Sequence, residues 1–434
     1  MRLIWPLVIE QFLAVTIGMA DTVMVATNGE AAVSGISLVD SINMLLVQIF
    51  AALATGGAVV ASQYLGRQDR NSACRSAKQL LYTMTVLAVG ITVVSVVFCL
   101  QILRFVFGGI ASDVMANAQI YYRLTALSYP FLAIYNAGAA LFRSMGNSRI
   151  SMLVSLLMNL INIIGNAILI YGFNWSVAGA GTATLFSRIV AAVLMLILIR
   201  TKDNLIFIEN IFHFEFHPDM IQKILAIGVP NGLENGMFQI GKLIVQNLVT
   251  TLGTSAIAAN AIANSISSFP NIPGTAIGLG LITVVGQCVG ARDYEHAVFY
   301  TKRLMKVAYF SMGALDVLLF LLAGPITGVF HLSAEATATA AQILVYFAVF
   351  NAVIWPVSFT LPNALRAAGD ARFTMATSMI SMWVFRIGFS YILGLSLGLG
   401  VEGTWFAMYI DWSVRAIVFL IRFAGGKWKL KKVI

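Results

Sequence analysis

Val86-Leu-Ala-Val-Gly-Ile-Thr-Val-Val-Ser-Val-Val-Phe-Cys-Leu100 carries no charge and is apolar on every face of a helix. A membrane β-barrel strand alternates polar and apolar side chains over about 10 residues, so this run excludes a barrel. It lies inside a longer apolar segment near 77–103. A hydrocarbon core about 30 Å thick takes roughly 20 helical residues to cross. Segments of that length recur near 3–27, 33–62, 113–142, 148–172, 177–200, 219–250, 255–289, 302–327, 336–364, 373–396 and 400–422. Composition agrees, with 59% hydrophobic and 10% charged residues in a chain of 434, where soluble proteins carry about 25% charged. The expected fold class is an all-α membrane protein with twelve transmembrane helices.

The first segment follows a single basic residue, Arg2, and runs on to Asp21 and beyond. That is longer than the ~7–15-residue apolar core of a cleaved signal peptide, so it reads as a retained span. The formal charge of +9 is not a nucleic-acid signal, because its distribution follows the membrane. Alternate connections hold Arg67, Arg70, Arg75 and Lys78, then Arg143 and Arg149, then Arg200, Lys202 and Lys223. The same set continues with Arg292, Lys302, Arg303 and Lys306, then Arg366 and Arg372, and ends at Lys427, Lys429, Lys431 and Lys432. The other connections hold only Arg104. Basic residues stay cytoplasmic, so both termini are expected there, which requires an even number of spans.

The sequence repeats at an offset of 223–224 positions. Pro6-Leu-Val-Ile-Glu10 matches Pro230-Asn-Gly-Leu-Glu234, and Gln63-Tyr-Leu-Gly66-Arg-Gln-Asp69 matches Gln287-Cys-Val-Gly290-Ala-Arg-Asp293. Arg143-Ser-Met-Gly146-Asn-Ser-Arg149 matches Arg366-Ala-Ala-Gly369-Asp-Ala-Arg372, and Gly179 matches Gly403. Six spans per half put both halves into the membrane from the same side, so the repeat is parallel, giving two pseudo-symmetric six-helix lobes. The expected division is a lobe over 1–200, a polar cytoplasmic linker over 201–218, and a second lobe with a basic tail over 219–434. Transporters built from repeats bind substrate near the bilayer midplane at the repeat interface.

Ionisable groups at membrane depth are costly and persist where they face a cavity or a partner. Glu10 and Asp21 are eleven residues apart, so by helical phase they share a face, about 16 Å apart. Asn162 and Asn166 share a face one turn apart. A carboxylate with amide oxygens suits a hard cation, and a desolvated carboxylate also suits a proton. Asp21, Asn162 and Asn166 are therefore the candidate coupling site, Na+ or H+ being the candidate ions. Glu10 and Glu234 each follow a proline by four residues and are candidates for substrate or gate contacts, with Asp40 and Phe238. The alternative for the two acids is a bond within each lobe, with Lys242 a possible partner for Glu234. Arg386, Asp411 and Arg415 read as a structural charge cluster, Asp411 and Arg415 neutralising each other one turn apart. Asp316 has no partner legible from spacing. Three scattered cysteines give neither a disulfide framework nor metal spacing. His213 and His217 sit in the linker rather than in a metal site, and there is no P-loop for ATP.

These features resemble the multidrug and toxic-compound extrusion (MATE) family. The resemblance rests on Pro6 followed fifteen residues later by Asp21-Thr22, on Val285-Gly286-Gln287-Cys-Val-Gly290-Ala291, and on Asn162-Ile-Ile-Gly-Asn166 before Ile-Leu-Ile-Tyr-Gly. It covers essentially the full chain. It implies export of organic, often cationic or amphipathic, compounds driven by inward Na+ or H+ flow. Two positions depart from the pattern: Phe238 and Trp355 stand where many members carry acids, so the family's C-terminal acidic site does not carry over. Asn166 replaces an aspartate found in some members.

The expected activity is therefore secondary active export by alternating access, from a monomer in a bacterial cytoplasmic membrane, with no cofactor and no nucleic-acid partner. A lipid-linked saccharide or lipid flippase is the alternative. It calls for a strongly cationic cavity, whereas the first, second and seventh segments carry mainly acids. A membrane-embedded enzyme is disfavoured because no His or Cys lies in the centre of a span.

Overall fold

The computed structural model describes residues 3–26, 29–209, 213, 215–330 and 333–434, except the side chains of 15–23, 25 and 26. Among the described residues there is no strand. Twelve membrane helices follow one another in two sets of six. The first set is α1 (Ile4–Ala26), α2 (Glu30–Gly66), α3 (Arg70–Val97, extended by Cys99–Phe107), α4 (Ser112–Leu127 and Tyr129–Ser144), α5 (Ser148–Gly172) and α6 (Ser176–Ile199). The second is α7 (Pro218–Thr250), α8 (Thr254–Ser267 and Ile272–Gly290), α9 (Tyr294–Gly328), α10 (Ala334–Ala367), α11 (Ala371–Ser396) and α12 (Gly400–Ala424).

Nine helices among the described residues are long and apolar enough to cross a membrane unaided, and the bent pair in α4 makes a tenth. The repeat partners α1 and α7 complete the twelve. In α7 the polar residues Glu234 and Lys242 dilute the apolar character. Prolines account for the main breaks. The two parts of α4 meet at 45° beside Pro130, where the missing N–H opens the helical ladder. Pro270 and Pro273 interrupt α8, whereas its partner α2 runs unbroken for 37 residues. In α10 the ladder widens into a π-helical turn over Pro356–Thr360.

By packing, the chain forms two compact units, Met1–Gly232 and Leu233–Ile434. The opening turns of α7 belong to the first, where Lys223 Nζ donates to Tyr64 Oη at 3.1 Å. The repeated motifs have repeated local structure. Gly66 ends α2 and Gly290 ends α8. Asp69 caps α3 by accepting from the Ser72 N–H at 3.0 Å, and Asp293 caps α9 by accepting from the His296 N–H at 3.0 Å. These hydrogen bonds hold both carboxyls below the ordinary aspartate range. Gly146 and Gly369 take φ of +80° and +93°, the left-handed geometry that turns the chain between helices.

Candidate functional site

In the first unit, α1 is tied to α4 and α5 through Glu10. Arg143 Nη1 donates to Glu10 Oε1 at 3.0 Å, and Ser151 Oγ donates to Oε2 at 2.9 Å. In the second unit, Arg366 Nη2 donates to Glu234 Oε1 at 2.7 Å, and Arg415 Nη2 lies 3.6 Å from the same oxygen. Glu10 and Arg143 occupy the repeat positions of Glu234 and Arg366, so one buried ion pair is built twice. Each acid is engaged inside its own unit. This is the lobe-internal alternative to a substrate or gate contact, and the arginine was visible in the matched Arg143 and Arg366 motifs.

The expected Lys242 partner for Glu234 is replaced by Arg366. Lys242 lies eight residues, about two turns, further along the same helix, whereas Arg366 arrives from a facing helix and reaches the carboxylate directly. Direct neutralisation of Arg415 by Asp411 is also replaced. Arg415 turns to Glu234 and lies 4.4 Å over the Phe359 ring, while Asp411 accepts from Ser381 Oγ at 2.5 Å. Asp411 acts on Arg386 and Arg415 through its field. Asp316, which spacing left without a partner, accepts from Asn351 Nδ2 at 3.0 and 3.2 Å.

The neutral half of the candidate coupling site is assembled on α5 and α6. Asn162 Nδ2 donates to Thr184 Oγ1 at 3.1 Å, and Asn166 Nδ2 lies 3.4 Å from Asn162 Oδ1. Both asparagines are buried. Thr184 joins them from 22 residues away, and no spacing in the sequence singled it out. Asp21 lies on α1, but its side chain is outside the described residues. Nearby, Tyr171 Oη donates to the Met24 carbonyl at 3.1 Å, bringing the end of α5 to α1. Asp40 on α2 is half-buried and accepts from Tyr121 Oη at 3.2 Å and Asn43 Nδ2 at 3.3 Å. Tyr129 Oη in turn donates to Asn43 Oδ1 at 2.7 Å.

The second unit differs at the corresponding depth. Phe238 on α7 is surrounded by cations: Lys242 Nζ lies 5.2 Å from its ring centre, Arg386 Cζ 5.3 Å and Arg415 Cζ 5.8 Å. These are cation–π distances. A cavity of about 240 Å³ opens beside them.

Comparison with known proteins agrees with this architecture. The MatE family model matches residues 6–168 and again 230–392, two matches displaced by the 224 positions of the internal repeat. The chain belongs to the MatE family, the multidrug efflux transporters, and is a transporter rather than an enzyme. The uncharacterized transporter YisQ of Bacillus subtilis is 27% identical over 440 residues, covering 98% of this chain and 94% of that protein. A Thermotoga maritima protein named probable multidrug resistance protein NorM is 24% identical, over 100% of this chain and 93% of its own. A solved structure described as the outward-facing conformation of a multidrug resistance MATE family transporter superposes with a TM-score of 0.92. It is 23% identical and covers 99% of this chain and 96% of that one, a likeness of fold.

Proposed function

We propose that this chain is a secondary active exporter of organic compounds, driven by inward Na+ or H+ flow through alternating access. The observation that carries the reading is the buried Asn162–Asn166–Thr184 constellation on α5 and α6, in a chain whose two halves both match an efflux family. Amide and hydroxyl oxygens with the Asp21 carboxylate of α1 would supply a hard cation with ligands, or a proton with an acceptor. Relatives named for multidrug resistance support organic compounds as cargo. Residues 1–200 and 219–434 are the proposed lobes and 201–218 the linker. Both termini are placed in the cytoplasm on the Lys/Arg asymmetry.

The test is export from proteoliposomes with Na+ and pH gradients imposed separately. Asp21→Asn removes a charge at nearly constant volume. It is expected to abolish export under whichever gradient drives the native protein, with helicity and thermal unfolding unchanged. Undiminished export by that variant under both gradients would show that Asp21 is structural.

A further inference from the structure

We propose that the cavity bounded by α7, α8, α10, α11 and α12 is a binding site for an organic anion with an aromatic ring. The observation is a surplus of donors and positive charge. Lys242, Arg386 and Arg415 lie around Phe238, Arg366 joins Arg415 at Glu234, and the carboxylates of this group are Glu234 and Asp411. Glu234 is engaged by Arg366 and Arg415, and Asp411 accepts from Ser381 Oγ, which leaves four cations against two carboxylates. Lys242 and Arg386, the two that line the cavity, have no carboxylate within 4.0 Å among the described residues.

Arg386 is 8% exposed, and its Nη2 donates to the Met408 thioether at 3.2 Å, a weak acceptor. Its Nε and the Nε1 of Trp412 are buried with no acceptor among the described residues. A buried guanidinium so placed is costly without an oxygen partner. A carboxylate or sulfonate would supply one.

The walls define the rest of the ligand. Trp355 stacks on Phe359 with centroids 5.0 Å apart, and Trp405 is fixed by its Nε1 donating to Asn260 Oδ1 at 2.9 Å. Flat apolar walls suit a ring. An aromatic cage can also hold a cation, but the Phe238 face already has three, and a fourth would meet like charge. The break in α8 at Pro270 and Pro273 brings Asn271 to the cavity, and its Oδ1 has no donor among the described residues, leaving one place for a ligand hydroxyl. A volume of 240 Å³ falls below the ~300–1,000 Å³ of sites for drug-sized ligands, so a one- or two-ring acid fits better than a large drug.

This assignment rests on the export reading only for the fate of the ligand, and equilibrium binding tests it separately. The full chain in phosphatidylcholine nanodiscs is titrated calorimetrically with 1-naphthoate, 1-naphthylmethanol and 1-naphthylmethylammonium. The carboxylate is expected to bind at one saturable site at least about tenfold more tightly than the alcohol, the scale of a hydrogen bond to a charged group. Lys242→Gln should weaken naphthoate about tenfold and leave the alcohol unchanged. Arg386→Lys keeps the charge but loses the fork, and Trp412→Phe keeps the ring but loses the donor. Each should weaken naphthoate several-fold. Lys202→Gln, which removes an exposed charge that does not line the cavity, should change nothing. The assignment is overturned if the ammonium or the alcohol binds as well as naphthoate, or if Lys202→Gln weakens naphthoate as much as Lys242→Gln. Naphthoate binding with no gradient-driven efflux of any of the three compounds would sink the export reading and leave the site. Efflux of naphthylmethylammonium without naphthoate binding would do the reverse.

Discussion

The two units share a backbone plan and a buried acid–arginine pair, yet they carry opposite chemistry at equivalent positions. Asp21 corresponds to Val245 at the 224-residue offset of Pro6 and Pro230, and Asn162 and Asn166 fall opposite Phe385–Arg386 and Phe389–Ser390, between the offset of 223 at Arg149 and Arg372 and that of 224 at Gly179 and Gly403. Where the first unit collects amide and hydroxyl groups, the second collects guanidinium and ammonium groups. Duplication fixed the helix packing, and substitution inside the membrane then gave each copy its own polarity. The acid–arginine pairs thus repeat, while the polar residues along α5 and α11 do not.

The largest expected contrast lies in the shared ion pair. Glu10 meets Arg143 and Ser151, whereas Glu234 meets two arginines. Glu234→Gln leaves two buried cations facing each other, and should cost about 3–5 kcal/mol, the scale for breaking a buried pair. Glu10→Gln should cost less, about 1–3 kcal/mol, because it leaves a single arginine, Arg143, that is only partly buried. Thermal unfolding of the purified variants checks the order, and equal losses would mean that the two pairs are energetically the same device.

A smaller contrast is expected at Gly179 and Gly403. A methyl group on Gly403 would lie 2.7 Å from the backbone carbonyl of Leu393, while on Gly179 its nearest neighbours are Leu169 Cβ at 3.1 Å and the Leu169 carbonyl carbon at 3.2 Å. The closer approach needs the larger backbone shift. Gly403→Ala should cost about 1–3 kcal/mol, the usual penalty of overpacking, and Gly179→Ala less. Matching losses in a chemical-denaturation or thermal series would show that α11 moves aside as readily as α5.

The smallest effect, and one that should be nearly equal in the two units, belongs to the caps Asp69 and Asp293. Each carboxyl is depressed chiefly by a backbone hydrogen bond, from Ser72 and His296 respectively. A carboxyl with a lowered folded pKa stabilises fully above its unfolded value, near about 3.9, and that contribution fades as pH falls through the lower folded value. Asp69→Ala and Asp293→Ala should therefore lower the unfolding temperature slightly and equally at neutral pH. The difference from the native chain should shrink only on the acid side of that range. A gap that changes between pH 6 and 8 would point to His296 rather than the cap.

The twelve helices were legible because lipid leaves apolar runs unmistakable, and the parallel repeat because motifs recur at one offset. The acid–arginine pairs were half legible: both members stood in matched motifs, but which arginine reaches which acid depends on facing helices. Thr184 beside Asn162 and Asn351 beside Asp316 were not legible, since their spacings of 22 and 35 residues carry no helical phase. The cationic cavity was hidden for another reason. Lys242 on α7, Arg386 on α11 and the tryptophans on α10 and α12 are far apart in sequence and come together only where α8 is broken.

The π-helical turn Ser381–Gly388 of α11 has no counterpart in α5, whose own π turn, Ala167–Gly172, matches Ser390–Ser396, and it bears on how the two halves diverged. The repeat offset is 224 at Asp69 and Asp293, 223 at Arg143 and Arg366, and 224 again at Gly179 and Gly403. One half has therefore lost a residue relative to the other before α5 and α11 and gained one within or just after them. A loop absorbs such a change freely. A membrane helix absorbs it as a π turn, which holds one extra residue while the helices beyond keep their facing. α11 is thus a place where this lineage could change length inside the bilayer, and Arg386 sits within that elastic stretch of chain.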